Sequence, residues 1–175
     1  MGKASKIAVT VTLAVALMTG TAGCSLLPIV AQQQGESSPT ESGEEAPAQS
    51  DEALNSYVEA ERAQIPTIID QYPDLYSDVT IEGAVEESTG DEENIPAGTH
   101  STIRFTYTYA AEMDWAATGP ALDAQGSALE DACSATIFPA MSSYGVDGPL
   151  AAVFEYTDAK NSPEIMWSYA CSNEG

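Results

Sequence analysis

TIRFTYTY, residues Thr102–Tyr109, alternates without a break. Ile103, Phe105, Tyr107 and Tyr109 fall on one side of an extended chain, and Thr102, Arg104, Thr106 and Thr108 on the other. Successive side chains of a strand point to opposite faces, so this stretch reads as a strand with one buried and one polar face. A sheet that leaves one face polar is commonly antiparallel. What surrounds this strand then decides the fold.

Downstream, from about Ala116, Leu122, Leu129, Cys133, Ile137, Met141 and Tyr144 recur at helical spacing. Pro139 should disturb the last turn of that helix, and Gly145 should end it. Two strands follow, Leu150 to Thr157 and Ile165 to Cys171. They are joined by a polar turn from Asp158 to Pro163, built around Lys160 and Asn161. Ile165, Trp167, Tyr169 and Cys171 share one face.

Upstream, Val79 to Gly83 reads as a short strand, and Glu86 to Gly98, EESTGDEENIPAG, as an acidic loop. Before it, Leu54, Tyr57, Val58, Ile65, Ile68 and Ile69 keep helical spacing. Ser50 can cap that helix, with Asp51 and Glu52 at its positive end. Pro66 predicts a kink, or two helical pieces meeting near Gln64, and Pro73 closes the segment.

The order is helix, strand, strand, helix, strand, strand. The expectation is one α+β domain over residues 51–175, with an antiparallel four-stranded sheet and its helices on one face. The opposite face would carry Thr102, Arg104, Thr106, Thr108, Met166 and Ser168. Thr102, Arg104, Thr106, Thr108 and Ser168 are the candidate ligand-facing surface.

The N-terminus has another purpose. Lys3 and Lys6 precede an apolar run, Ile7 to Met18, and then small residues up to Gly23. Basic, apolar, small is the order of a secretory signal peptide, here residues 1–23. The uncharged stretch from Ile7 to Ala22 falls short of the roughly 20 residues that span a bilayer core. Lys6 stands where a myristoylation signal has Ser or Thr. Thr21-Ala22-Gly23-Cys24 resembles a bacterial lipobox, with Thr21 where Leu is usual. That resemblance implies that Cys24 carries a diacylglycerol and becomes the first mature residue. Two acyl chains anchor a protein stably where one holds it only marginally. The expected location is the outer face of the cytoplasmic membrane. Residues 24–50 hold AQQQGESSPTESGEEAPAQS with no apolar period, so they read as a solvated polar tether. Such a tether reaches roughly 30 Å on average.

Lipidation of Cys24 leaves Cys133 and Cys171. In an oxidising compartment two spare cysteines pair. Cys133 lies on the helix stripe and Cys171 on the strand face of Trp167 and Tyr169, so a bridge through the core is expected.

Charge narrows the partners. The chain has 27 acidic residues, and beyond the signal only Arg62, Arg104 and Lys160 are basic, for a mature net charge of −24. Nucleic acid is excluded, because phosphate binding needs a basic face. A cationic partner, or the cation-rich wall, suits such a surface.

The chemistry of catalysis is thinly represented. His100 is the one histidine, at the mouth of a strand and away from any Gly-x-Ser-x-Gly setting, and reads as a surface histidine. Zinc needs three or four N or S ligands. No glycine-rich phosphate loop is present. Glu86, Glu87, Asp91, Glu92, Glu93 and Asn94 offer oxygen to calcium in one loop, but without the spacing of a calcium-binding hand. No cofactor is expected. Two acids could act as a glycosidase pair across a cleft. Trp115, Tyr107, Tyr109, Tyr156 and Trp167 could stack on sugars, although aromatics at alternating strand positions more often build a core.

YVEAERAQIP, LYSDV, FTYTYA and FEYTDAKNSPEIMWSY together resemble a family of small lipoproteins of Gram-positive bacteria, particularly the high-GC group. The resemblance covers about Leu54 to Cys171. It implies a lipobox, a polar tether and one α+β domain, and it carries no activity. The function expected is a non-enzymatic, lipid-anchored surface module that binds a protein or wall component at the membrane–wall boundary. The alternative is an envelope hydrolase using acidic residues.

Overall fold

A computed structural model describes residues 47–91 and 94–174. The signal peptide, Cys24 and nearly all of the tether lie outside the described residues.

The first helix, α1, spans Pro47–Arg62 and therefore begins before Ser50, which lies inside it rather than capping it. The second, α2, spans Ile65–Gln71 with Pro66 in its first turn, where its missing N–H costs nothing. The two pieces meet around Gln64, as the proline predicts. Strand β1, Tyr76–Ser88, is far longer than the five residues expected, so Glu86 and Glu87 are strand residues. Strand β2, Gly98–Tyr109, pairs antiparallel with it in a continuous register from Asp78↔Thr108 to Ser88↔Gly98.

Between the hairpins stand four helical segments rather than one. They are α3 (Trp115–Asp123), α4 (Gly126–Ala132), a π-helical turn (Cys133–Ile137) and α5 (Phe138–Ser143). Pro139 falls in the first turn of α5, immediately after the π turn, so the ladder is broken upstream of where the spacing alone placed it. Gly145 ends α5 at φ 88°, a left-handed conformation that glycine adopts freely. Val146 N donates to Met141 O and Gly145 N to Ser142 O, which closes the helix end. Strands β3 (Leu150–Asp158) and β4 (Trp167–Ser172) complete the chain.

The sheet has four strands in the order β1-β2-β3-β4. The expectation of an α+β domain with a four-stranded sheet holds, and the expectation of a wholly antiparallel sheet does not. β2 and β3 are parallel, with Ser101↔Leu150 through Tyr109↔Asp158 in register. The helical connection is the cause. It carries the chain from Tyr109, at one end of the sheet, back to the end where β2 began, and Pro149 O there accepts from Ser101 N. A strand entered from that end can only run beside β2 in the same direction.

Helices cover the side of Ile103 and Phe105. α1 approaches β1 so closely that a Cβ on Gly83 would sit 2.6 Å from Val58 Cγ2 and 3.1 Å from Leu54 Cγ. α4 crosses β4 near Tyr169, whose ring a Cβ on Gly126 would meet at 3.1 Å. Leu54, Tyr57, Val58, Ile81, Ile103, Phe105, Leu129, Met141 and Phe154 fill the space between, all buried. Cys133 and Cys171 form a disulfide across it, with Cα atoms 6.6 Å apart, joining the start of the π turn to β4.

Candidate functional site

The polar sheet face is the place where sequence reasoning put a ligand. Cross-strand pairing sets Thr80, Thr106 and Glu155 abreast, with Ser168 beside Glu155, and sets Glu82, Arg104, Val153 and Ala170 in the neighbouring row. Two loops frame this face. At one end the β1–β2 connection folds back so that Ile95, 3% exposed, packs on Ala151 and Val153 with Ala170 beside them. Asn94 Nδ2 donates to Ala170 O at 3.2 Å and pins that loop over β4. At the other end Thr157 Oγ1 donates to Glu164 O at 2.7 Å, drawing the β3–β4 turn over the face.

Between the loops lies an open trough. Arg104, Thr106 and Thr108 are half-buried and Ser168 is exposed, as a ligand-facing surface requires. Thr102 is not available: it is 4% exposed, beside His100 beneath the loop. Arg104 pairs through Nη1 with Glu155 Oε1 and through Nη2 with Glu86 Oε2 at 3.2 Å. Thr106 Oγ1 donates to the second Glu155 oxygen at 2.9 Å. Burial alone would pull the Arg104 pKa down, but the Glu155 and Glu86 carboxylates outweigh it and raise it. Asp78 and Glu82 are also exposed on this face of β1. One guanidinium against four carboxylates leaves the trough acidic. A volume of about 230 Å³ is enclosed by Asn94, Arg104, Glu155, Ser168 and Ala170.

His100 is not a surface histidine. It is 1% exposed, with Nδ1 3.1 Å from Gly98 O. Its Nε2 lies 3.3 Å from Glu174 Oε2, near enough for attraction but outside hydrogen-bond geometry. Its residue number falls on the even, polar row of β2, and the folded-back loop is what hides it; nothing in the local sequence signals that.

The aromatic residues pack against one another on the helix side. Ring centroids of Tyr107 and Tyr156 are 5.1 Å apart, Tyr76 and Tyr107 5.3 Å, Tyr109 and Trp115 6.0 Å, and Tyr156 and Trp167 5.4 Å. Burial pushes the phenols of Tyr107 and Tyr109 up to about 12. Tyr109 and Tyr156 are buried in this cluster, and Tyr107, Trp115 and Trp167 pack around them half-buried.

Asp158 was legible only as a turn residue, and it is the best-satisfied acid among the described residues. It is fully buried. Its Oδ2 accepts from Met113 N at 3.0 Å and Trp115 Nε1 at 2.8 Å, and its Oδ1 from Lys160 N at 3.0 Å and Asn161 N at 2.9 Å. The Asn161 side chain bridges both oxygens. Burial alone would raise its pKa, but these donors outweigh it and bring it down to about 2. This carboxylate ties the entry of α3 to the β3–β4 turn. It has no lone pair free for chemistry.

Among the described residues, no group of three or more His, Cys, Asp or Glu is arranged to hold a metal. Of the candidate calcium ligands, Glu86 and Glu87 lie in β1, Asp91 and Asn94 lie beyond its end, and Glu92 and Glu93 lie outside the described residues. No described helix is long and apolar enough to cross a membrane. No protein-family model, curated protein or solved structure matches the chain.

Proposed function

We propose that this chain is a non-enzymatic, lipid-anchored surface module at the membrane–wall boundary, of the kind its motifs resemble in Gram-positive lipoproteins. Diacylglycerol on Cys24 holds it on the outer face of the cytoplasmic membrane. The polar tether lifts the domain clear of the headgroups, and the domain offers its acidic sheet face to a protein or wall partner. The observation that carries this reading is the trough itself, a polar sheet face left uncovered between two loops that are each tied down by a named hydrogen bond. An uncovered face of fixed polar groups suits recognition. The carboxylates that converge there, Glu86 and Glu155, are engaged by Arg104 and Thr106 and so fix the shape of the surface.

Two measurements test it. Cys24→Ala should move the protein from the membrane fraction into the medium or leave it uncleaved; normal processing and retention of that variant contradict the anchor. Ser168→Arg places a long cation in the trough. Cross-linking of the native anchored protein should lose its products in that variant and keep them in Glu130→Arg, on the exposed side of α4. Equal loss in both, or in neither, contradicts the assignment of the face.

A further inference from the structure

We infer that the outer edge of β1, from Gly83 to Glu87, is a docking edge for an extended basic segment of a partner protein, which adds to the sheet as a fifth strand. The edge borders the trough and shares Glu82 and Glu86 with it, but it binds through outward backbone groups of β1 that the trough does not use.

β1 is the outermost strand on its side. Two contacts fix which of its backbone groups face outward. Ile81 O accepts from Arg62 Nε at 2.7 Å, so Ile81 points away from β2. Ser101 N donates toward β3, so its partner across the pair, Val85, also turns its own groups outward. Outward groups recur every second residue, which makes them those of Gly83, Val85 and Glu87. None of these has a hydrogen-bond partner among the described residues.

Natural edge strands are kept short, bulged or covered, because open backbone groups template pairing. The opposite edge follows that practice. β4 has six residues, and Asn94 Nδ2 caps its Ala170 carbonyl. β1 has 13 residues and Arg62 caps only one carbonyl at the start of the free stretch. Val85 is 37% exposed there, one of few large apolar side chains so placed.

The surroundings specify the occupant. A recess of about 260 Å³ follows this edge on both sides of the sheet. On the helix side it is lined by Asn55, Val58, Arg62 and Gly83, and the exposed Val85 next along that face of the strand offers an apolar contact. On the other side stand Glu82 and Glu86, two carboxylates against the single guanidinium of Arg104, which pairs with Glu86. An incoming strand with apolar residues on one face and Lys or Arg on the other matches both. A second copy of this chain is the wrong occupant. Antiparallel pairing of two β1 edges would set Glu82, Glu86 and Glu87 against their own kind in a chain of net charge −22, and like charges across a pair are destabilising.

The probe is the capped heptapeptide KVKVKVK, labelled for fluorescence anisotropy, with the full chain as receptor. EVEVEVE and a KVKVKVK methylated at alternate backbone nitrogens serve as controls. Val85→Pro removes one outward N–H and leaves the β2 ladder intact, a substitution that edge strands tolerate. The expected result is saturable binding of KVKVKVK, weakened at least tenfold by either control or by Val85→Pro, with an unchanged urea midpoint. Amides of Gly83, Val85 and Glu87 should gain protection from hydrogen exchange, and Ser168→Arg should leave the affinity unchanged. Absence of binding overturns the inference. So does protection centred on the trough, binding indifferent to Val85→Pro, or a dimer in sedimentation equilibrium that Val85→Pro abolishes. A trough variant that loses its cross-links while the peptide still binds would separate this edge from the proposed trough function.

Discussion

Replacing Asp158 with Asn changes one oxygen for a nitrogen and almost nothing in volume, yet it should be among the most damaging surface-remote substitutions in the domain. Asp158 Oδ2 serves Met113 N and Trp115 Nε1, and Oδ1 serves Lys160 N and Asn161 N. Whichever oxygen becomes the amide NH2, two N–H donors lose their acceptor in a fully buried position. Hydrogen bonds to a charged group contribute about 1.5–3 kcal/mol each, and an orphaned buried donor bears its full desolvation penalty. The loss expected is about 3–5 kcal/mol, a large part of the roughly 5–15 kcal/mol that keeps a domain folded. Urea unfolding followed by tryptophan fluorescence should show the midpoint falling by about 2 M, given a slope of order 2 kcal/mol per molar for a domain of this size. Trp115→Phe removes a single donor and should cost less. The double variant should cost less than the two added, because the indole donor orphaned by Asp158→Asn is then gone. The acid limb gives a second reading. The folded-state pKa, about 2, lies below the ordinary 3.8, so the contribution of Asp158 is complete above about pH 4 and is lost as pH falls toward 2. The stability difference between wild type and Asp158→Asn should therefore shrink over that window. A midpoint shift worth less than about 1 kcal/mol, or a difference constant down to pH 2, would falsify the view that this carboxylate is ionised and fully engaged.

Three further outcomes follow from the packing. Gly83→Ala forces α1 off the sheet, since its Cβ would meet Val58 at 2.6 Å; overpacking should destabilise by about 1–2 kcal/mol, and Gly83→Ala combined with Val58→Ala should recover part of that in urea unfolding. Cys133→Ala with Cys171→Ala opens a loop of 38 residues, for which the chain-entropy model gives about 4 kcal/mol; a midpoint unmoved by the pair would mean the bridge constrains nothing. Tyr107 and Tyr109 titrate near 12 rather than 10 when folded, so folding favours the neutral phenol, and their contribution is intact below about pH 10 and lost as pH rises through 12. Phenolate absorbance should rise late and together with alkaline unfolding, and ionisation of all the tyrosines near pH 10 in a still-folded chain would contradict their burial.

What the sequence determined by itself is what local periodicity encodes. The period-two run Thr102–Tyr109 names both faces of its strand correctly, because a strand side chain cannot change faces without a register slip. Pro66 and Gly145 mark helix ends for reasons of backbone sterics alone. Cys133 and Cys171 meet because the helix stripe and the strand face that bear them were both legible as core. The tertiary structure decided whatever depends on which way a connection returns. The parallel β2–β3 pairing follows from a crossover that ends where β2 begins, and no residue in either strand records that direction. The folded-back β1–β2 loop buries Thr102 and His100 and leaves Arg104 and Ser168 open, although all four lie on the same polar face. Asp158 shows the same division most sharply. Its sequence neighbours announce a turn, but its charge is held by Met113 and Trp115, more than 40 positions away, and only the packed chain brings those donors to it.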